Sequence, residues 1–474
     1  MRKIVFLLAF LWAFIGLMLA IVYLSTDWLA VVGILMINQA FCGAIAWDRF
    51  RKTPTAVLPD FLTLYLFLQF INKSLTALGR VVLGNEQSAG KIGEHLSSLS
   101  TRYVPLEYMY QAEFIFLLAT LIFTSIWCLL EKRKIQAIRQ EPTPKVIWSV
   151  YVFSFAIYLI LNATNFAASL GLISTLMWSF SIGSIAVLLG GRSNYALGAK
   201  QSLLPIIALL PLYSIALRSG MKSEVAIVSL PMLLPVIRNI SLRGSLILSG
   251  FIGFTVLFIF PFSNAWRSAN WLGTENAGLF VVMNHVFADW EQDGIFATAG
   301  TSLAQWLSRG SSSDQGGLVM QLAEQDPLIG TVLIEGLVTI FIPRFLWPDK
   351  PVYTPGAWFT WYLGYADSPE TATTSTAMML STELYWTFGI FGVIVGMALL
   401  AVLYFYTWRY LVQRSTRGLA SLMACFYLLA GLYNFESGSV IGTISSPIIL
   451  LVYVILFDYF QKIFFPNLTR RTTK

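Results

Sequence analysis

The side chains best suited to chemistry in this chain are cations with few acids beside them. Arg218 and Lys222 lie in Arg218-Ser-Gly-Met-Lys222-Ser-Glu224, Arg267 follows an apolar run, Arg309 sits in Ser308-Arg309-Gly310-Ser311, and Arg344 and Lys350 stand in Pro343-Arg344-Phe-Leu-Trp347-Pro348-Asp349-Lys350-Pro351. A guanidinium is a planar fork of donors that stays charged and grips phosphate oxygens in pairs, so this set suits an anionic, phosphate-bearing ligand. Snorkelling to lipid headgroups is the alternative use of the same residues. Around them Trp266, Trp271, Trp290, Trp306, Trp347, Trp358 and Trp361 supply flat apolar faces, of the kind that stack on sugar rings or line a membrane interface.

Two groups are placed to move a proton. His285, in Met283-Asn284-His285-Val286, can act as a general base near neutral pH or, when protonated, donate to phosphate; Glu383 competes for the base role. His95, with Lys91 and Glu94, is a weaker candidate. No Walker loop, HExxH or His/Cys ligand set occurs, and the cysteines Cys42, Cys128 and Cys425 all fall in apolar runs. Asp27, in Ser25-Thr26-Asp27-Trp28, is a single acid where metal-dependent glycosyl transfer from lipid phosphates commonly uses a pair. The expectation is metal-independent chemistry with no cofactor.

The elements that must position these residues are apolar runs of membrane-spanning length. With 57% hydrophobic and only 12% charged residues, the composition is that of an integral membrane protein. The runs are roughly 17 to 25 residues, enough at about 1.5 Å per residue to cross a hydrocarbon core of about 30 Å. About twelve spans are predicted, near 4–24, 28–47, 56–80, 109–130, 146–165, 168–189, 202–217, 223–237, 244–262, 379–408, 418–435 and 440–464. The fold class is therefore an all-α polytopic membrane protein. It divides into transmembrane helices one to nine over 1–262, a large loop over 263–378, and transmembrane helices ten to twelve over 379–474. The first run follows Arg2 and Lys3, is long and has no small-residue cleavage site, so it reads as a retained helix.

Alternate connections carry the cations: Arg2 and Lys3; Arg49, Arg51 and Lys52; Lys132, Arg133, Lys134 and Arg139; Arg192 and Lys200; Arg238 and Arg243; Arg409, Arg414 and Arg417; Lys462, Arg470, Arg471 and Lys474. The positive-inside rule puts these loops and both termini in the cytoplasm and the large loop outside, facing the periplasm or cell exterior. The net charge of +7 is spent on this orientation, and no soluble basic domain for nucleic acid remains. The apolar stretch 329–346, flanked by Pro327, Gly330, Pro343 and Pro348, would invert every later loop if it crossed, so a re-entrant or interfacial helix is expected there.

Several charges gather at one level. Lys73 lies about 25 Å along a helix entering from inside, and Glu113 lies within two turns of the outer start of the next helix, so a structural ion pair between them is expected. Arg218 and Lys222 bracket an outer turn at Gly220, Glu383 is about one turn inside the span after the large loop, and Glu436 ends a later outward helix.

The overall plan resembles that of bacterial O-antigen or exopolysaccharide repeat-unit polymerases of the Wzy type. The stretches that carry the likeness are Arg218-Ser-Gly-Met-Lys222, Ile342-Pro-Arg344-Phe-Leu-Trp-Pro-Asp-Lys350-Pro351, and Ser381-Thr-Glu383-Leu-Tyr385-Trp-Thr-Phe-Gly389-Ile-Phe-Gly392. The resemblance implies glycosyl transfer between polyprenyl-diphosphate-linked oligosaccharides at the outer leaflet, with membrane lipids around the chain and a chain-length regulator protein as partner. Arg218, Lys222, Arg267, Arg309, Arg344 and Lys350 would hold the diphosphate, and Glu383 or His285 would take the acceptor proton. O-antigen ligases share the plan. A flippase for the same lipid-linked sugar is the competing class, and it requires charges along a midplane path.

Overall fold

The computed structural model describes residues 26–52, 60–83, 104–131, 144–164, 171–190, 199–218, 253–269, 277–309, 312–327, 355–364, 378–415 and 439–464, with short stretches between them. Among these residues every regular element is helical and no strand occurs. The principal helices are α1 (Thr26–Lys52), α2 (Phe61–Leu83), α3 (Leu106–Leu130), α4 (Pro144–Ala163), α5 (Gly171–Gly190), α6 (Ala199–Arg218), α7 (Phe260–Arg267), α8 (Leu279–Asp293), α9 (Ile295–Arg309), α10 (Ser312–Gln325), α11 (Pro355–Tyr362), α12 (Leu380–Ser415) and α13 (Val440–Phe464). Four stretches are long and apolar enough to cross a membrane: Leu29–Arg49, Leu106–Leu130, Pro144–Ala163 and Leu380–Gln413. Shorter apolar helices cover Ile173–Leu189, Leu204–Arg218, Thr255–Trp266 and Val440–Ile455, each within a predicted span or overlapping one. The first predicted span, 4–24, and most of 418–435 and of the expected re-entrant stretch 329–346 lie outside the described residues.

Contacts divide the chain into two compact units, one taking in Met1–Pro54, Leu66–Glu113 and Arg192–Gly317, the other Thr55–Tyr65, Phe114–Gly191 and Leu318–Lys474. The long segment after the ninth predicted span is thus shared, its first part belonging to the first unit and its second part to the second.

In the first unit, a five-residue π-helical turn, Thr255–Ile259, leads directly into α7, so the helix runs on through Pro261 instead of ending there. Proline is tolerated because it stands in the first turn of α7, where its missing N–H is least needed. After α7 the chain reverses into α8, and Gly294, at φ 86°, reverses it again into α9. Both helices pack on α7 and its π-helical lead. Phe262, Val282 and Val286 form the buried centre, with Leu217, Ala265, Trp266 and Trp290 against it. Because Phe258 meets Trp290 with ring centroids 6.1 Å apart, α8 returns alongside the helix that delivered it. A helical hairpin therefore folds back here, within the segment that the sequence marks as a large loop.

The same unit holds the ion pair expected from helix depth. Lys73 Nζ donates to Glu113 Oε1 at 3.2 Å and lies 3.0 Å from Oε2, with the side chains 0% and 1% exposed. Counting residues along two helices placed the two charges at one level, and they meet there.

The second unit is built on two devices. The pair α4 and α5 is antiparallel and stitched by polar side chains. Ser154 Oγ faces Ser181 Oγ at 3.0 Å, the Tyr158 and Trp178 rings are 4.9 Å apart, and Asn162 Nδ2 donates to Ser174 Oγ at 3.2 Å. Each step of four residues along α4 is answered by three or four back along α5, which is the register of two straight helices. Such bonds between otherwise apolar helices are a recurring means of association in membranes, worth about 1 kcal/mol each.

The other device is an aromatic core. Asp60 caps α2, its Oδ1 accepting the Thr63 N–H at 2.9 Å, and the helix then presents Phe61 and Tyr65 on one face. Phe61 contacts Trp127 and Tyr404, and Tyr65 contacts Phe123 and Phe435, all with centroids between 4.8 and 5.6 Å. The Tyr404 hydroxyl, buried in this cluster, donates to the Thr443 carbonyl at 2.9 Å and so ties α12 to α13.

Candidate functional site

Glu383 lies on the first turn of α12, where the chain enters from Met379 with φ 56°. The residues around it are buried: Ser381 is 3% exposed, Thr382 0% and Glu383 3%. Thr382 Oγ1 donates to the Met378 carbonyl, and Thr387 Oγ1 donates to the Glu383 carbonyl at 2.8 Å, so the segment is held by its own side chains. The carboxylate reaches across to α13, where Oε2 accepts the Val440 N–H at 2.9 Å. Val440 is the first residue of α13, so the acid satisfies a donor that the helix itself cannot use and sits at the positive end of its dipole. Glu383 therefore has a structural partner that the sequence reading did not foresee. Ser381 Oγ, two residues earlier, is buried with no hydrogen-bond partner among the described residues.

This head segment is set apart from the rest of α12. Phe388, at φ −136° and ψ 17°, and Gly389, at φ 63° and ψ −158°, leave helical geometry, so residues 380–387 form a short helix angled against the long one that follows. The backbone of Gly389 occupies a region that essentially only glycine adopts. Gly392 completes the bend, since its backbone lies against the Leu384 carbonyl oxygen and the Phe388 Cβ.

The head segment is packed against helices of the long segment. Trp386 is 3% exposed and shares a buried cluster with Val319, Leu322, Phe359, Leu363 and Met378. Its indole Nε1 donates to the Asp326 carbonyl at 2.8 Å, and the Tyr362 hydroxyl donates to Asp326 Oδ2, also at 2.8 Å. Trp358 and Tyr362 stack at 5.3 Å and 22°, while Tyr362 meets Trp386 edge-on at 5.2 Å and 69°. Helices α10 and α11 are thereby fixed one turn from Glu383. Replacing Trp386 with Phe is expected to lose the bond to Asp326 and part of the buried ring volume, and to lower stability by about 2 to 3 kcal/mol, read from a denaturant midpoint.

The other predicted residues fall in the first unit or outside the described residues. Arg218 is exposed and ends α6, Arg267 ends α7, Arg309 ends α9, and His285 is exposed on α8. Three of them are chain neighbours of one apolar cluster: Leu217 precedes Arg218, Trp266 precedes Arg267 and Val286 follows His285. The three positions therefore flank one apolar cluster along the backbone, with the Arg218 and His285 side chains exposed. Lys222, Arg344 and Lys350 lie outside the described residues, as does His95. Sequence reasoning missed Asp326, Tyr362 and Trp386, although an acid next to Pro327 at a helix end and a Trp three residues after Glu383 were visible signals.

Compared with known proteins, the chain matches no family model, and no curated protein and no solved structure is significantly similar to it.

Proposed function

We propose that this chain polymerises polyprenyl-diphosphate-linked oligosaccharide repeat units by metal-independent glycosyl transfer at the outer leaflet of a bacterial cytoplasmic membrane. The reading includes about twelve spans, cytoplasmic termini and the long segment outside. The observation that carries it is the buried carboxylate of Glu383 on a kinked helix head, packed one turn away against the aromatic-faced helix α11 of the long segment. In the reaction an acceptor hydroxyl oxygen forms a bond to the anomeric carbon of the donor as the bond from that carbon to phosphate breaks. Polyprenyl diphosphate leaves with the bonding electron pair, and the hydroxyl proton passes to a base. Glu383 or His285 serves as that base. Arg218, Lys222, Arg267, Arg309, Arg344 and Lys350 are the cations available to meet charge on the leaving diphosphate, where fixed positive charge does most for the transition state.

The test is the full-length protein in lipid nanodiscs with a lipid-linked repeat unit as sole substrate. A ladder of longer lipid-linked glycans is expected, and Arg218→Ala and Arg344→Ala are each expected to slow its formation about a hundredfold at equal protein level. Transbilayer movement without elongation would make the chain a flippase, transfer to lipid A core or protein without a ladder would make it a ligase, and either result overturns the proposal.

A further inference from the structure

The Asp326 network does more than a helix dock requires. The backbone carbonyl of Asp326 takes the Trp386 indole, and its side chain is held separately by the Tyr362 hydroxyl at Oδ2. Those two bonds join α10, α11 and α12. They also leave Oδ1 open among the described residues, on an exposed carboxylate whose direction is already fixed. Next to it the Trp358 and Tyr362 rings lie within 22° of parallel, and Trp361 on the same short helix is 39% exposed. The site is therefore an oriented hydrogen-bond acceptor at the margin of aromatic faces.

We propose that Asp326, with Trp358 and Tyr362, forms a subsite for one sugar ring of the glycan. This deepens the polymerase reading and rests on it. A sugar ring carries hydroxyl donors at its rim and a flat C–H face, so it can donate to Oδ1 while lying against an aromatic surface. Cations also bind beside carboxylates and aromatic rings, but a quaternary ammonium is recognised by several ring faces turned toward one point. Here Trp358 and Tyr362 stack nearly parallel and each also meets the buried Trp386, so no point is faced by several open rings, while Trp358 and Tyr362 remain partly exposed beside the exposed Trp361. The tie from Tyr362 matters because an acceptor held in advance loses less freedom when the ligand arrives.

The experiment uses full-length protein in nanodiscs, free of sugar-based detergent, with cellobiose, chitobiose, lactose and tetramethylammonium as probes and saturation-transfer NMR as the readout. At least one disaccharide is expected to bind saturably. Asp326→Asn should weaken it about tenfold and Tyr362→Phe about threefold. Absence of saturable binding by every disaccharide, wild-type affinity in both variants, or saturable tetramethylammonium binding that displaces the sugar would each overturn the subsite. If Asp326→Asn fails to fold, Tyr362→Phe carries the test alone, since it keeps the ring. Disaccharide binding weakened by these variants in a protein that makes no ladder leaves the subsite standing and removes the polymerase reading. A ladder from the wild-type protein together with no saturable binding of any disaccharide does the reverse.

Discussion

Alanine at Gly392 is expected to lower the thermal midpoint of the purified protein clearly and to cut ladder formation at least tenfold, with alanine at Gly389 acting in the same direction. At Gly392 an added Cβ would run into the Leu384 carbonyl oxygen and stand 2.7 Å from the Phe388 Cβ. Neither obstacle is the free end of a flexible side chain, so the backbone of the bend has to move. At Gly389 the space is open, but φ 63° with ψ −158° is a conformation that costs other residues about 1 to 3 kcal/mol. The expected response of both variants is partial straightening of α12 across residues 388–389. That would rotate the head segment 380–387, drawing Glu383 from the Val440 N–H and Trp386 from the Asp326 carbonyl. Gly396 provides the contrast. A Cβ there meets the Leu384 Cδ2 at 2.7 Å, a side-chain tip and not backbone, so Gly396→Ala should cost less than Gly392→Ala. Equal midpoints and equal ladders for the Gly392 and Gly396 variants would show that the bend is not what positions Glu383.

These glycines illustrate what was legible in advance. The stretch from Ser381 to Gly392 stood out as a pattern, and Glu383 within it as an ionisable group one turn inside a span. The residue types were readable, but the reason for the glycines was not, because a kink shows in backbone angles and not in hydropathy. The same division holds elsewhere. Spans with uniform apolar character, such as those at α3 and α4, were read to within a few residues, because length and hydropathy suffice there. The α8–α9 hairpin was not read, since helices packed on one face and exposed on the other mix Phe280 and Phe296 with Asp289 and Asp293 and look irregular in a running average. Contacts between residues far apart in sequence were the least legible. Nothing local in Asp326 announces Tyr362 or Trp386, which are 36 and 60 residues away. Lys73 and Glu113, 40 residues apart, are an exception, because the expectation that both helices span a membrane makes depth along them countable, and charges at equal depth in an apolar medium have strong reason to meet.

That pair gives the second large effect. Lys73→Met is expected to destabilise the protein by about 3 to 5 kcal/mol, and Glu113→Gln by a similar amount, because each leaves a charge at a position that is 0% or 1% exposed. The double variant is expected to recover at least half of either loss. Removing both charges removes the desolvation cost together with the attraction, and for buried pairs those terms are of similar size. The comparison separates two roles. If the pair exists only to hold α2 against α3, the double variant should regain function along with stability, and ladder length should return with the unfolding midpoint. If the charges serve the reaction, stability should return and the ladder should not. Unfolding in graded denaturant, measured on all four proteins of the cycle in the same nanodiscs, gives the coupling energy directly. A double variant whose loss equals the sum of the two singles would show that the 3.0 Å contact contributes no coupling, and the depth argument that predicted the meeting would then explain geometry without explaining stability.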